Sequence, residues 1–561
     1  MNLIPAPKKI TVNDGFFGFK TVCPQGLSDE RLLKAVKKLP ISLDGGKLSF
    51  KIGNGDKESY ELLVLENEIK VIADGVKGAF YAIQTLRQLF LMDKIPCLEI
   101  FDEPEFKSRG FYHDVTRGRV QTKETLKKLI DNMAYYKMNA LQLYVEHTYM
   151  FKELEGFARE DNAVTSDELK ELDLYAKENF IDFIPSISTF GHLYELLSRE
   201  NLKHLQCATE EKDTHYWSRR MWHHTIDPKN EESFSVIKSV IDQYMPNFTS
   251  KYFNICCDET FDLENGKYKG EDTGKLYVEF VKKIISYIES KGKTVMMWGD
   301  ILLNHPEVIG DIPDSVVFLN WDYAGEPSED KIKTFAEKNR IQYVCPGTDS
   351  WEGFIEKAVQ GESNITKMAE YGKKYGASGV LNTNWGDFGN PCNLDMAMHG
   401  FLVGAEKSWN LSGEDLDKRI DTLLYKKQGA SELVKSIEKH LNLAHWNKLS
   451  DCRYSLSKDR DVLENIPDKN ELKKSQEELL KIIESVKKDT WGNEKIRKAF
   501  VLMTEGVLIV TEAFLKLLGE IDDYSLDIDA WLLRYRENWL SDSKESELKN
   551  IEEVIKWTKT L

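Results

Sequence analysis

The sequence lacks most of the marks that assign a chain at a glance. Across 561 residues no run of 18 apolar residues occurs, so no membrane-spanning helix is expected. The opening residues, MNLIPAPKKITVNDGFF, lack the basic-then-apolar order of an export signal, which predicts a cytoplasmic protein. A basic surface is missing too. The 76 Lys and Arg against 93 Asp and Glu give a net charge of −17, the wrong sign for nucleic acid or an anionic membrane as partner. No G-x-x-x-x-G-K-[ST] loop is present to cradle phosphate. No H-E-x-x-H or other zinc-like spacing surrounds any of the 11 histidines, His223-His224 included, so neither a metal nor a cofactor is expected. The eight cysteines, from Cys23 to Cys452, include no C-x-x-C, and adjacent Cys256 and Cys257 would point to opposite faces of a strand. Reduced, mostly buried thiols are expected rather than a disulfide framework. Repeats of fixed period and low-complexity tracts are absent.

What is present is 41% hydrophobic residues, enough for ordinary cores, in a chain too long for a single one. Residues 1–105 read as a small α/β domain, with strand-like KLSFKIG and ESYELLVLENEIKVIA before a helix in GAFYAIQTLRQLFLM. CLEIFDEPEFKSRG, with its proline and acids, reads as a connection. Between 106 and 420, short apolar runs alternate with amphipathic helices: GFYHDV, ALQLYV, DFIPSI, YFNICC, TVMMW, VVFLN, IQYVC and GVLNT. Eight such runs predict a (β/α)8 TIM barrel rather than an open sheet. Thr165 to Glu168 reads as a capping box. From 421 to 561 the strand signal stops and the pattern is α-helical, with Leu472, Leu479, Ile483 and Val486 along one side of a helix. WLLRYRENW, Trp531 to Trp539, reads as a helix packed on the barrel that could close the pocket or make a homodimer contact.

Barrel chemistry sits at the C-terminal ends of the strands. Polar and aromatic residues cluster there: Asp114 and Arg117, Glu146 and His147, His192, Asp258 and Glu259, Trp298 and Asp300, Trp321 and Asp322, Asp349 and Trp351, Trp385 and Asp387. Asp258-Glu259, closing the apolar run YFNICC, is the sharpest of these. An arbitrary Asp-Glu pair usually caps a helix or solvates a loop. This one follows a buried-looking strand and shares its face with Trp298, Trp321 and Trp385. Indoles stack on the apolar faces of pyranose rings, and glycosidic cleavage needs a proton donor beside negative charge. Adjacent carboxylates against a partly apolar wall split in pKa, so that one stays protonated as the acid.

Five motifs, in order, resemble glycoside hydrolase family 20, the exo-acting β-N-acetylhexosaminidases. Arg109-Gly110 with Asp114 and Arg117 resembles the family's R-G-x-x-x-D-x-x-R, and KKLIDNMAYYKMNALQLY resembles its first helix and second strand. FIPSISTFGHL resembles its third-strand segment ending in Gly-His, YFNICCDET its x-x-x-G-G-D-E, and NWGD its W-G-E. The likeness implies retaining hydrolysis of terminal β-linked GlcNAc or GalNAc on a glycan or glycoconjugate, the substrate's own 2-acetamido oxygen attacking C1. Carried over, Glu259 is the acid and then the base, and Asp258 holds the acetamido N–H. Arg109 grips the 3- and 4-hydroxyls, Asp387 accepts from the 4- or 6-hydroxyl, and His192 orients Glu259. Trp298, Trp321 and Trp385 wall the acetamido methyl and the ring face. For Arg109 the alternative is a structural ion pair with Asp114 at the barrel bottom.

The sequence departs from the family at three places. Ser186 and Ser188 replace both acids of P-E-I-D-x-P-G-H, and Glu146-His147 stands for the D-D after the second strand. The Tyr-x-Asp after the seventh strand reads CPGTDSW: Asp349 matches the acid, no tyrosine stands two residues before it, and Tyr323 is the substitute. These departures leave GlcNAc against GalNAc open. Two other classes compete. A two-carboxylate glycosidase on non-acetylated sugars would form a covalent ester, and a non-catalytic carbohydrate-binding protein would have no turnover to lose.

Overall fold

A computed structural model describes residues 1–152, 162–222 and 224–561. The first six strands, β1 (Lys9–Phe16), β2 (Val22–Gln25), β3 (Gly46–Ile52), β4 (Tyr60–Val64), β5 (Glu68–Ala73) and β6 (Pro96–Asp102), form one mixed sheet in the order β1-β6-β4-β5-β3-β2. The helix Val76–Leu89 covers it, burying Ala82, Leu86 and Leu89. Here the sequence expectation fails once. CLEIFD is not a connection but the body of β6, paired antiparallel with both β1 and β4. Its residues alternate as a half-buried strand should, Leu98, Ile100 and Asp102 inward and Glu99 and Phe101 outward, and the flanking proline and acids mask that period of two.

Eight parallel strands follow: β7 (Ser108–Asp114), β8 (Ala140–Tyr144), β9 (Asp182–Ile184), β10 (Tyr252–Asn254), β11 (Thr294–Trp298), β12 (Val317–Trp321), β13 (Gln342–Cys345) and β14 (Gly379–Asn384). They pair in the order β10-β11-β12-β13-β14-β7-β8-β9, and a bridge between Ser186 and Asn254 closes the ring. The pleat sorts the side chains. Tyr112, Tyr144, Met296, Trp298, Leu319, Cys345 and Leu381 fill the interior as a cluster of their own, while Phe111 and Phe318 pack outward on the helices. Helices such as Lys123–Tyr135 and Thr273–Ser290 bury one face against these strands, and Thr165 does form its capping box with Glu168.

The helices after the barrel pack around Glu494–Leu517, which is buried along most of its length and carries Lys469–Lys488 on one side. The helix containing WLLRYRENW, Ile528–Asp542, packs on the barrel. Its Tyr535 hydroxyl donates to the Pro391 carbonyl at 2.9 Å, and the Arg119 guanidinium lies 3.9 Å over the Trp539 ring. All eight cysteines are free thiols, and no helix among the described residues is long and apolar enough to cross a membrane.

Arg109 corrects a second expectation. It stands at the start of β7, and a strand rises about 3.3 Å per residue, so five residues separate it from the catalytic face by about 16 Å. Its guanidinium pairs with Glu58 of the first domain at 2.7 Å and donates to the carbonyls of Lys137 (2.8 Å) and Phe106 (2.9 Å). It cannot grip a sugar at the other end of the barrel. The bottom ion pair is real, but its acid is Glu58 rather than Asp114. Arg109→Met is therefore expected to destabilise the fold by about 3 kcal/mol in denaturant unfolding, since breaking a buried pair strands its partner, while KM stays unchanged.

Candidate active site

The strand β10 ends at Asn254, and the chain then turns through left-handed residues that are not glycine. Cys256, Cys257 and Glu259 have φ of 57°, 65° and 50°, and His192, facing them from the loop after β9, has 58°. Each left-handed non-glycine residue costs on the order of 1 kcal/mol, so the surroundings must impose the shape. They do. Thr189 donates to the Ile255 carbonyl at 2.7 Å, Tyr277 to that of Cys257 at 2.8 Å, and the Glu259 N–H donates to Asp300 Oδ2 at 2.9 Å. Gly191 is required, because a Cβ there would meet the Asp258 carbonyl oxygen at 2.4 Å.

The turn delivers both carboxylates to one imidazole. His192 Nε2 lies 3.2 Å from Asp258 Oδ2 and 3.3 Å from Glu259 Oε2. Asp258 is buried and Glu259 partly exposed, as a group that must meet solvent and substrate would be. Burial alone would discharge the ring. Asp258 and then Glu259 outweigh it and lift the imidazole to about 10, with Arg117 opposing them. Arg117 Nη2 stands 3.2 Å from Nδ1 and can only donate, which favours a neutral ring protonated on Nε2. The carboxylates favour the imidazolium. In both forms Nε2 carries a proton toward Asp258 and Glu259.

Arg117, which the sequence places in the motif and at the strand end without a task, stands at the centre of the site. Its Nη1 pairs with Asp387 Oδ1 at 2.6 Å, its Nε with Glu146 Oε1 at 3.4 Å, and its plane lies 4.9 Å from the Tyr144 ring and 5.1 Å from that of Trp385. Asp114 Oδ1 accepts the Arg117 N–H at 2.9 Å while Oδ2 accepts that of Gly386 at 3.0 Å, so one carboxylate ties the end of β7 to the end of β14. Burial works to raise the Glu146 carboxyl, but His147 and Arg117 outweigh it and hold it well below the usual range. The signal was available: Arg117 is the last residue of R-G-x-x-x-D-x-x-R, and only that arginine follows the strand.

The aromatic residues divide. Trp298 and Trp385, with ring centroids 5.8 Å apart, form a wall with Tyr112 and Tyr144. Trp385 Nε1 donates to the Tyr323 hydroxyl at 2.7 Å. Trp321 stacks on Tyr323 at 5.2 Å and 15°, nearer the rim. Gly347, two residues before Asp349, has no room for a tyrosine: a Cβ would meet Trp351 at 2.5 Å and Tyr323 at 2.9 Å. Asp349 turns to Lys357 at 3.5 Å, and burial raises it to about 6. Glu352 links it to the cluster, feeling both Asp387 and Asp349.

Asp300 was noted in the sequence but given no task. Burial, then the charges of Asp258 and Glu259, raise it from 3.8 to about 8. Between those values the folded protein keeps a proton that the unfolded chain has lost, so stability falls as pH rises through that window. Asp300→Asn has no such proton, and its melting temperature is expected to gain on the wild type from pH 5 to pH 8 while activity stays within a few-fold. Asp300→Ala, lacking the acceptor for the Glu259 N–H, is expected to lower kcat about tenfold at unchanged KM, the worth of one buried hydrogen bond.

His192, Asp258 and Glu259 offer ligand atoms within 4.8 Å of one another, close enough in principle for a cation, as do Glu362, His399 and Asp417 on three helices elsewhere. In the second group the Lys435 ammonium, 2.7 Å from Asp417, already serves as the cation. His223 lies outside the described residues.

The sequence pattern of the glycosyl hydrolase family 20 catalytic domain matches residues 106–375, and that of the family's domain 2 matches residues 1–103. A β-hexosaminidase of Porphyromonas gingivalis is 25% identical over 471 residues, covering 72% of this chain and 56% of that protein. A lacto-N-biosidase of Bifidobacterium bifidum is 24% identical over 320 residues, 53% of this chain and 26% of its own. The chain thus spans little more than half, or less, of these relatives. Among solved structures, the family 20 exo-β-N-acetylglucosaminidase of Vibrio harveyi with bound N-acetylglucosamine superposes with a TM-score of 0.60 at 20% identity over 78% of each chain. The chitobiase of Flavobacterium johnsoniae gives 0.63 at 17% identity over 99% of each, so the helical region after the barrel has a counterpart there.

Proposed function

The chain belongs to glycosyl hydrolase family 20, and on that premise we propose that it is an exo-acting, retaining β-N-acetylhexosaminidase that removes terminal β-linked GlcNAc or GalNAc. The observation that carries this is the pairing of Asp258 and Glu259 on one imidazole beside the Trp298–Trp385 wall. The acetamido carbonyl oxygen of the bound sugar attacks C1 as the glycosidic bond breaks, and Glu259 gives its proton to the departing oxygen. The intermediate is an oxazolinium ion. Asp258 accepts the acetamido N–H and steadies the positive charge that develops on it. Glu259 then takes a proton from the water that opens the ring, and configuration at C1 is retained.

Arg117, with Glu146 and Asp387 fixed on it, takes over the hydroxyl-gripping role first given to Arg109. Its planar fork suits two neighbouring hydroxyls. The Tyr323 hydroxyl, positioned by Trp385 Nε1, is the donor for the acetamido oxygen in place of the absent strand-seven tyrosine. The test compares 4-nitrophenyl β-glycosides of GlcNAc, GalNAc, glucose and unacetylated glucosamine. Turnover of the N-acetylated pair alone supports the mechanism. Comparable release from the other two, or a glycosyl ester trapped on a side chain, refutes it.

A further inference from the structure

Glu547 lies outside both stretches that match the family's patterns, in the short segment between the helices Ile528–Asp542 and Leu548–Thr558. We propose that it is a positioning residue for sugar binding: its carboxylate keeps the Arg220 guanidinium off Glu146, so that Glu146 stays on Arg117. The proposal rests on the role given to Arg117 above.

The backbone brings this segment to the site. Ser543 bridges to Gln121, the Lys544 N–H donates to the Val120 carbonyl at 2.8 Å, and the Glu547 N–H donates to that of Gly118 at 3.3 Å. Gly118 is the residue after Arg117. Thr116, His147, Thr148, Ser546 and Glu547 are among the walls of one cavity of about 20 Å³, room for a single water. His147 Nδ1 in turn stands 3.8 Å from Glu146 Oε2. Glu547 thus borders the same small space as the neighbour of Glu146.

The side chains set up a competition. Glu547 Oε1 accepts from Arg220 Nη1 at 2.6 Å and Oε2 from Trp217 Nε1 at 2.9 Å, and both members of the ion pair are buried. Burial would discharge Arg220; Glu547 foremost, then Tyr216, Glu146 and Glu195, hold it charged. Of the two acids besides Glu547, Glu195 is taken by the Tyr216 hydroxyl at 2.6 Å. Glu146 has an opening: Oε2 is buried without a hydrogen-bond partner among the described residues. Its Oε1 serves the Tyr144 hydroxyl at 2.8 Å and Arg117 Nε at 3.4 Å, the longest of that guanidinium's polar contacts. A buried guanidinium stripped of its anion must find another. Once Glu547 loses its charge, Arg220 turns to Glu146, and the contact with Arg117 is the one that yields.

Steady-state kinetics on 4-nitrophenyl β-GlcNAc and calorimetric titration with N-acetylglucosamine test this on the full chain. Glu547→Gln keeps the shape of the side chain and the backbone contact to Gly118 while removing the charge. It is expected to raise KM and the Kd of the monosaccharide about fivefold, with kcat within about twofold of wild type. Adding Arg220→Gln removes the intruding guanidinium, and both constants are expected to return to within about twofold of wild type while the melting temperature stays depressed. A brace that served the fold alone would give no such rescue, because the second substitution takes away a further buried contact. Unchanged KM and Kd in Glu547→Gln, or a rise that Arg220→Gln fails to reverse, overturns the proposal. If the wild type binds the monosaccharide but hydrolyses no N-acetylhexosaminide, the reaction assigned above falls, and the Kd series alone upholds Glu547 by its rescue or overturns it by the lack of one.

Discussion

Glu259→Gln is expected to fold, to bind sugar and to lose about 10³-fold in kcat on a disaccharide, within the 10²–10⁴ that a positioned acid and base supplies. The loss should be smaller with 4-nitrophenyl leaving groups, which depart with little protonation. That contrast separates loss of a proton donor from loss of binding. Asp258→Asn should cost about 10²–10³ on both substrates alike, because the role proposed for it lies at the acetamide and not at the leaving oxygen. The geometry supports this division. Asp258 is buried against the barrel interior, while Glu259 is partly exposed and held by its own backbone to Asp300. Equal sensitivity of both variants to leaving-group pKa would show that the roles are wrongly divided.

Arg117→Met should be the next most damaging change, with kcat/KM down by about 10²–10³ and stability down by about 3–5 kcal/mol. The substitution leaves Glu146 buried without its guanidinium and deprives Asp387 of its partner at 2.6 Å. It also removes the donor to His192 Nδ1, so the imidazole is no longer held in place between arginine and carboxylates. Arg117→Lys is expected to recover part of the stability and little of the activity, since a point charge cannot span Asp387, Glu146 and His192 together. Set beside Arg109→Met, which should lower stability alone, the pair distinguishes the two ends of β7 by kinetics. A KM effect from Arg109, or none from Arg117, would reverse the assignment.

Much of this was legible in the residues. All eight barrel runs proposed from apolar periodicity are strands, because a strand buried on both faces leaves a continuous hydrophobic signature and helices between such strands keep a period of 3.6. Asp258 and Glu259 stood out because two acids closing a buried strand are costly. What was not legible depended on direction and distance. Arg109 and Arg117 share one motif, and only the length of β7 separates the bottom of the barrel from the top. Strand β6 was hidden because Pro and acids outweighed a short alternation. Asp300 acts through its neighbour's backbone N–H, a contact that no residue pattern records. Cys256 and Cys257, which stand where the family carries glycines, announce a left-handed turn only once the turn is seen, since cysteine gives no hint of positive φ.

The helices that follow the barrel hold several of its loops at once. Trp446 Nε1 donates to the Phe388 carbonyl next to Asp387, Tyr535 reaches Pro391, and Glu547 takes both Arg220 and Trp217. During synthesis the strands and both acids leave the ribosome well before these braces exist. The nascent barrel therefore passes through a period with its walls standing and its rim slack, and hydrolytic competence should arrive late, with the docking of the terminal helices.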